Sequence, residues 1–376
     1  MTIASLSDLA DQTTCPLLVV KVGSSLLVGR EGLRRNWLEG LVSEIAAARA
    51  RGQRVIIVSS GAIALGASRL GLEKGGRGSL ADAQAAAAVG QIALSGLWAE
   101  LLAGHDLTAA QILLTLDDLE DRRRYLNVTA TLARLLDAGA VPVINENDSV
   151  ATHEIRFGDN DRLAARVAQA AQASAVLLLS DVDGLYDRNP KQAGAQLIGE
   201  VDGVTAEIHA MASAESASGL GSGGMTSKLQ AAQIAELAGI ALVIANGIPP
   251  HPIARATGEG IGTLFRAHRK AGARKAWLGG RLRLKGELIV DEGAEAALLR
   301  GSSLLAKGVI GVTGTFERGD PVAICAEGTR VLAHGLAEYG SDDCERLKGR
   351  HTSEHAALLG YAPRPAVVHR DQLVLK

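Results

Sequence analysis

Short apolar runs and longer Ala- and Leu-rich stretches alternate over the first two thirds of the chain. Residues 17–22, 54–59, 141–144, 175–180 and 240–245 are apolar runs of strand length, each closed or followed by Gly, Ser or Asn. Unbroken runs of this kind predict strands buried on both faces. Between them, residues 33–51, 80–102, 125–138, 162–173 and 227–238 read as helices. The alternation predicts an α/β fold, a three-layer αβα sandwich with a mainly parallel central sheet. Near residue 265 the texture changes. Residues 265–285 carry eight basic residues, no Asp or Glu, and several glycines, which predicts a domain joint. Beyond it, short runs at 287–290, 309–312, 321–325, 331–333 and 366–369 alternate with turns and predict a small, mostly β domain, in part a closed barrel. The expected domains are therefore residues 1–268 and 280–376.

Composition narrows this little. The 376 residues are 47% hydrophobic and 3% aromatic, with a net charge of −2, so bulk charge points to neither nucleic acid nor membrane. Cys15, Cys325 and Cys344 are too far apart for a disulfide framework or a metal-ligand spacing, which fits a reducing, cytoplasmic compartment. The first fifteen residues lack the charge and apolar core of a signal peptide, and no uninterrupted apolar run approaches the ~18 residues of a membrane span.

Candidate chemistry gathers at the predicted strand ends. After residues 141–144 come Asn145, Glu146, Asn147 and Asp148, and Gly158, Asp159, Asn160 and Asp161 precede the next helix. An isolated Asp-Asn-Asp is more often an N-cap. Two polar clusters bracketing one loop instead predict a crevice where open α/β sheets bind ligands. Lys21 ends a buried strand and Gly23, Ser24 and Ser25 follow it, so backbone and ammonium can both approach an anion. Ser59, Ser60 and Gly61 form a second such turn. A third lies at residues 219–228, where Gly219, Gly221 and Gly224 match G-x-G-x-x-G. No strand precedes them, so a dinucleotide fingerprint is rejected, and the P-loop spacing is absent. What remains is a glycine loop opening a helix, with Lys228 on its first turn, a favourable place for an anion.

Two lysines, three small-residue turns and an acidic cluster facing one crevice make a constellation for moving a phosphoryl group. In the blocks at residues 21–25, 59–63, 125–127, 141–148, 158–161, 180–186 and 223–228, the chain resembles the amino acid kinase family, and within it the kinases that act on glutamate. Residues 286–294 and 301–305 resemble the PUA domain appended to many bacterial members. The resemblance covers nearly the whole chain after the first fifteen residues. It implies ATP-dependent phosphorylation of the side-chain carboxylate of L-glutamate, the first step of proline synthesis, with Mg2+ accompanying ATP. It places Lys21 and Lys228 on the phosphates, Ser60, Asp148 and Asn160 on glutamate, and Asp161 between the lysines. Ser180, Asp181, Ser222, Gly223, Gly224, Met225, Thr226, Ser227 and Lys228 are implied to hold the nucleotide. It also implies a homo-oligomer, dimer or tetramer, and feedback inhibition by proline. Ser59, Ser180 and Ser222 stand where the family pattern has threonine, each retaining a hydroxyl.

Physical chemistry supports these roles. A glutamate carboxylate, with an ordinary pKa near 4.3, is ionised at neutral pH, so no general base is required. The obstacle is repulsion between carboxylate and polyphosphate, met by fixed positive charge and positioning. Asp148 is expected to recognise the α-ammonium, which an N-acetylated substrate lacks. Acetylglutamate and nucleoside-monophosphate kinases share the fold but normally lack the C-terminal extension. An RNA-binding role is not expected: residues 281–376 balance 13 Lys plus Arg against 13 Asp plus Glu and carry only Phe316, Tyr339 and Tyr361 as aromatics.

Overall fold

A computed structural model gives the fold, describing residues 3–29, 32–150, 159–216, 224–267, 284–327, 330–361, 364 and 366–375. Two compact units emerge, Met1–Lys270 and Ala271–Lys376. Along the first run β1 (Leu17–Val22), α1 (Ser24–Leu27), the ribbon of β2 (Val28–Gly29) and β3 (Gly32–Leu33), α2 (Arg35–Ala50), β4 (Arg54–Ser59), α3 (Ala62–Leu70) and α4 (Leu80–Ala103). There follow β5 (Ala109–Leu114), α5 (Leu116–Glu120), α6 (Arg122–Asp137), β6 (Val141–Glu146), α7 (Asp159–Ala171) and β7 (Ala175–Ser180). The unit closes with β8 (Glu200–Val201), α8 (Ala206–Ser216), α9 (Gly224–Ala238), β9 (Ala241–Asn246), α10 (Pro252–Glu259) and β10 (Thr263–Phe265).

The strands form one sheet in the order β5-β6-β4-β1-β7-β9-β10-β8. From β5 to β9 every neighbouring pair is parallel. β10 is antiparallel to β9, and β8 pairs parallel with β10. The chain leaves β1 first toward β4 and later reaches β7 on its other side, so β1 marks a switch in strand order. In such sheets a crevice opens beyond the carboxyl ends of the strands at that point. Register brings those ends level: Val22 pairs with Ser59 and Ser180 with Asn246. All residues of β1 and β7 are buried, which accounts for their unbroken apolar sequences.

Local chemistry shapes the crevice. Gly61, with φ of 109°, adopts a left-handed conformation that only glycine takes easily, and it turns the chain from β4 into α3. α3 and α4 then touch backbone to backbone. A Cβ at Gly66 would stand 1.8 Å from Ala86 O, and one at Gly90 would stand 1.7 Å from Ala62 O. α4 is thereby held at fixed height beside the turn that carries Ser60.

Several boundaries differ from the sequence reading, for identifiable reasons. β5 was not anticipated; it is a half-exposed edge strand, and its alanines and Gln111 give neither alternation nor an apolar run. α6 begins at Arg122 rather than residue 125 because the Asp121 carboxylate accepts from Arg124 N at 2.9 Å and caps it. α9 begins at Gly224, which puts Lys228 one turn inside the helix and not on its first turn. α4, at 24 residues, is long and apolar enough by length and composition to cross a bilayer, although polar residues interrupt its apolar runs. It carries Asp82, Gln91 and Glu100, and buries Leu94, Leu97, Trp98, Leu101 and Leu102 in the unit's core.

In the second unit β11 (Gly286–Val290), β12 (Val309–Gly314), β13 (Pro321–Ala326), β14 (Val331–Leu336) and β15 (Leu373–Leu375) form a sheet in the order β12-β11-β13-β14-β15. β11 and β13 are parallel and the other pairs antiparallel. Leu288, Phe316, Ile324, Tyr339 and Leu347 lie in its core. Among the described residues the end strands β12 and β15 do not pair, so no closed barrel forms. Residues 366–369, expected as a strand, make a single bridge from Val368 to Leu304. Most of the basic joint lies outside the described residues; Arg266, within them, pairs with Glu200.

Candidate active site

The site has a charged half and a neutral half, meeting at adjacent residues of α7. On the charged side, Lys21 points from the end of β1 and is 7% exposed, and Asp161 in the first turn of α7 is 1% exposed. Lys21 Nζ stands 2.5 Å from Asp161 Oδ1. Lys228, from α9, places its Nζ 3.2 Å from Asp161 Oδ2 and donates to Gly224 O at 3.2 Å. Ser227 Oγ lies 3.0 Å from the same carboxylate oxygen. Two ammonium groups and one carboxylate leave this buried trio with a net positive charge, and a counter-anion is the natural complement.

Titration follows the same geometry. Burial alone would raise Asp161, but the charges of Lys21 and then Lys228, with hydrogen bonds from Lys21 and Ser227, outweigh it and hold the carboxyl at about 2. Burial pulls Lys21 below the ordinary lysine value, with the Asp161 charge opposing. Asp161 is therefore a fixed anion at neutral pH, too weak a base to take a proton.

On the neutral side, Asn160 Nδ2 donates to Ser60 Oγ at 2.9 Å and to Asn145 Oδ1 at 3.1 Å. Its own Oδ1 is buried, without a hydrogen-bond partner among the described residues. Ser59, the last residue of β4, is fully buried and accepts from Trp98 Nε1 at 2.9 Å, which ties the Ser60 turn to α4. Asp148, 8% exposed, opens the turn after β6. Burial lowers Arg77 while the charge of Asp148 raises it, so a guanidinium and this carboxylate act on one another across the crevice wall.

At the end of β7, Ser180 Oγ donates to Asp181 Oδ1 at 3.1 Å, and Ser180 O accepts from Gly247 N at 2.7 Å. Asp181 lies close enough to Lys21 to favour its charged form. Asp183 is gripped by Asn246 Nδ2 at 3.0 Å and Tyr186 OH at 3.1 Å. Gly224, Met225 and Thr226 form the first turn of α9, with Met225 buried. Ser222, Gly223 and Gly158 lie outside the described residues. Direct contacts thus join Lys21, Asp161, Ser227 and Lys228, and separately Ser60 with Asn160. Asp148 stands beyond the end of β6 and the pair Ser180 and Asp181 at the end of β7, with β4 and β1 between them in the sheet. The sequence reading overlooked Gln91, Arg77 and Trp98. Gln91 was marked only as a polar interruption of an apolar helix, and Trp98 and Arg77 carried no signal.

An open parallel sheet with a buried lysine–carboxylate–lysine trio at the switch in its strand order defines an α/β protein built to hold a polyanion beside a smaller polar ligand. The chain belongs to the amino acid kinase family, whose model matches residues 16–246, and a PUA domain model matches residues 286–359. It is 70% identical to the glutamate 5-kinase of Novosphingobium aromaticivorans over the full length of both chains. It is 59% identical to that of Sphingopyxis alaskensis, over 96% of this chain and 98% of the relative. The glutamate 5-kinase of Zymomonas mobilis is 55% identical over 96% of this chain and 91% of its own.

Proposed function

We propose that the chain transfers the γ-phosphoryl group of ATP to the side-chain carboxylate of L-glutamate, giving L-glutamyl 5-phosphate and ADP, the first step of proline biosynthesis. The observation that carries this reading is the contact of Lys21 and Lys228 with opposite oxygens of Asp161, at 2.5 and 3.2 Å. A carboxylate so placed holds two ammonium groups at a defined spacing that neither would keep alone. Their mutual repulsion is offset, and the remaining positive charge is available to the phosphates.

In this reading a glutamate carboxylate oxygen attacks the γ-phosphorus as its bond to the ADP oxygen breaks, and no proton moves. Lys21 and Lys228 neutralise charge on the transferring group, where fixed donors in a water-poor site act far more strongly than in solvent. Ser60 and Asn160 orient glutamate, and Asp148 receives its α-ammonium. Ser180, Asp181 and the segment from Ser222 to Lys228 hold the nucleotide. Among the described residues no three of His, Cys, Asp or Glu converge as metal ligands, and Asp161 is already engaged. Asp181, whose charge acts on Lys21, is a carboxylate beside the trio that would help hold Mg2+ arriving with ATP. Bound there, Mg2+ would supply further charge neutralisation. The same reading carries feedback by proline, a homo-oligomer of two or four copies, a cytoplasmic location and no part for RNA or membrane.

ADP release measured with L-glutamate, L-aspartate, N-acetyl-L-glutamate and UMP, each with and without proline, tests the function. Turnover is expected with L-glutamate alone and suppressed by proline. Faster turnover with N-acetylglutamate or UMP would assign the chain to another branch of the family.

A further inference from the structure

A line of side-chain amides runs from α4 to the glutamate end of the crevice, and its sense is fixed at one point. Ser95 Oγ, on α4, lies 2.8 Å from the backbone carbonyl of Gln91 and also contacts Gln111 Oε1. A backbone carbonyl only accepts, so the single hydroxyl proton of Ser95 is spent on an acceptor. Toward the Gln91 side chain, 3.3 Å away, Ser95 can then only accept, and Gln91 must turn its Nε2 to it. Gln91 Oε1 is left facing Asn145, whose Nδ2 donates to it at 2.8 Å. Asn145, 2% exposed, consequently offers Oδ1 to Asn160. Both N–H groups of Asn160 are consumed, one by Asn145 and one by Ser60, and its buried Oδ1 is left without a partner among the described residues.

We infer that Gln91 is a positioning residue that sets which end of the Asn160 amide meets the substrate, and so makes this part of the site an acceptor for an N–H donor. Gln91 touches no substrate itself. Reversing its amide would place two donors nose to nose at Asn145, and relieving that clash would reverse Asn145 and Asn160 in turn. Asn160 would then present N–H groups, which repel an ammonium. With the present sense, Asn160 Oδ1 accepts from the α-ammonium of an amino acid, while Ser60, already accepting from Asn160, keeps its proton for a carboxylate. The height of Gln91 is set by its neighbour Gly90, whose backbone lies against Ala62 O.

This inference rests on the proposed glutamate kinase reading, and the test separates the two. The KM and kcat for L-glutamate, the KM for ATP and the inhibition constant of glutarate, which lacks the ammonium, are measured for the full chain and for Gln91→Met, Gln91→Glu and Ser95→Ala. Gln91→Met removes the acceptor and is expected to raise the KM for L-glutamate about tenfold, the worth of one buried hydrogen bond. The KM for ATP and glutarate inhibition should hold within about twofold. Gln91→Glu keeps an acceptor toward Asn145 and should restore most of the loss. Ser95→Ala frees the Gln91 amide to turn and should raise the KM for L-glutamate about threefold, and it serves alone if Gln91→Met does not fold. An unchanged KM for L-glutamate in Gln91→Met, or in Ser95→Ala where that variant must stand alone, overturns the inference. So does an equal weakening of ATP or glutarate, or a failure of Gln91→Glu to rescue. A wild-type chain that turns over no L-glutamate overturns the function itself, and the inference falls with it.

Discussion

Asn160 and Asp161 are consecutive in α7, yet they serve two halves of the crevice built on opposite principles. Asp161 faces Lys21 and Lys228, and the bonds around it are charge-assisted and buried. Asn160 faces Ser60 and Asn145, and every bond there is between neutral groups. Charged pairs in a buried setting are strong but tolerate a range of angles; amides are weaker but distinguish donor from acceptor absolutely. The proposed division of labour follows: the ionic half manages a polyanion whose charge shifts during transfer, and the amide half discriminates between small polar ligands. One helix N-terminus serves both, which keeps the two substrates in register.

That contrast can be broken by asking which kinetic constant each half controls. The largest effect is expected from Lys228→Met, which leaves Asp161 with one ammonium partner and removes a charge from the phosphates. kcat should fall about a thousandfold, in the range reported for loss of one preorganised stabilising group, while the KM for L-glutamate changes only a few-fold. A loss confined to KM would erase the distinction between the halves. A smaller effect belongs to folding. Asp161 is held at about 2 against an ordinary value of 3.8. Because its folded pKa is depressed, its contribution is complete above pH 3.8 and is lost as the pH falls toward 2. The difference corresponds to roughly 2 kcal/mol. Urea melts of wild type and Asp161→Asn between pH 5 and 2.5 check this, since the gap in stability should narrow on acidification. The smallest effect is expected from Asp148→Ala, beyond the amides. It should weaken the preference for L-glutamate over N-acetyl-L-glutamate about tenfold with little change in kcat, read from kcat/KM for the two substrates. An intact preference would remove Asp148 from ammonium recognition.

The two halves also differ in how legible they were. Lys21 interrupts an apolar run that is buried throughout, and a lysine there demands a partner, so the strand and the anomaly could be read together. Asp161, in the first turn of α7, and Lys228, one turn inside α9, likewise follow polar or glycine-rich sequence. Gln91 could not be found that way. It is one polar residue in an Ala-rich helix, 54 positions from the asparagine it orients, and a glutamine on a helix is ordinarily a solvated one. The close contact of α3 and α4 turns it inward, and that contact depends on one glycine in each helix, Gly66 and Gly90, neither of which stands out among the small residues around it. β5 was missed for a related reason: an edge strand half in solvent needs no apolar run. Central strands write their burial into sequence, and edges and helix contacts do so weakly.

The central claim is that Asp161 acts by holding two lysines and accepts no proton. Steady-state kinetics of Asp161→Asn, varying L-glutamate at saturating ATP across pH 6 to 9, tests it most directly. The account predicts a kcat lowered by about a hundredfold or more, a KM for L-glutamate raised much less, and a pH profile of the same shape as wild type, because no titrating base has been removed. An unchanged kcat, or the disappearance of an ionisation that wild type displays, would contradict it.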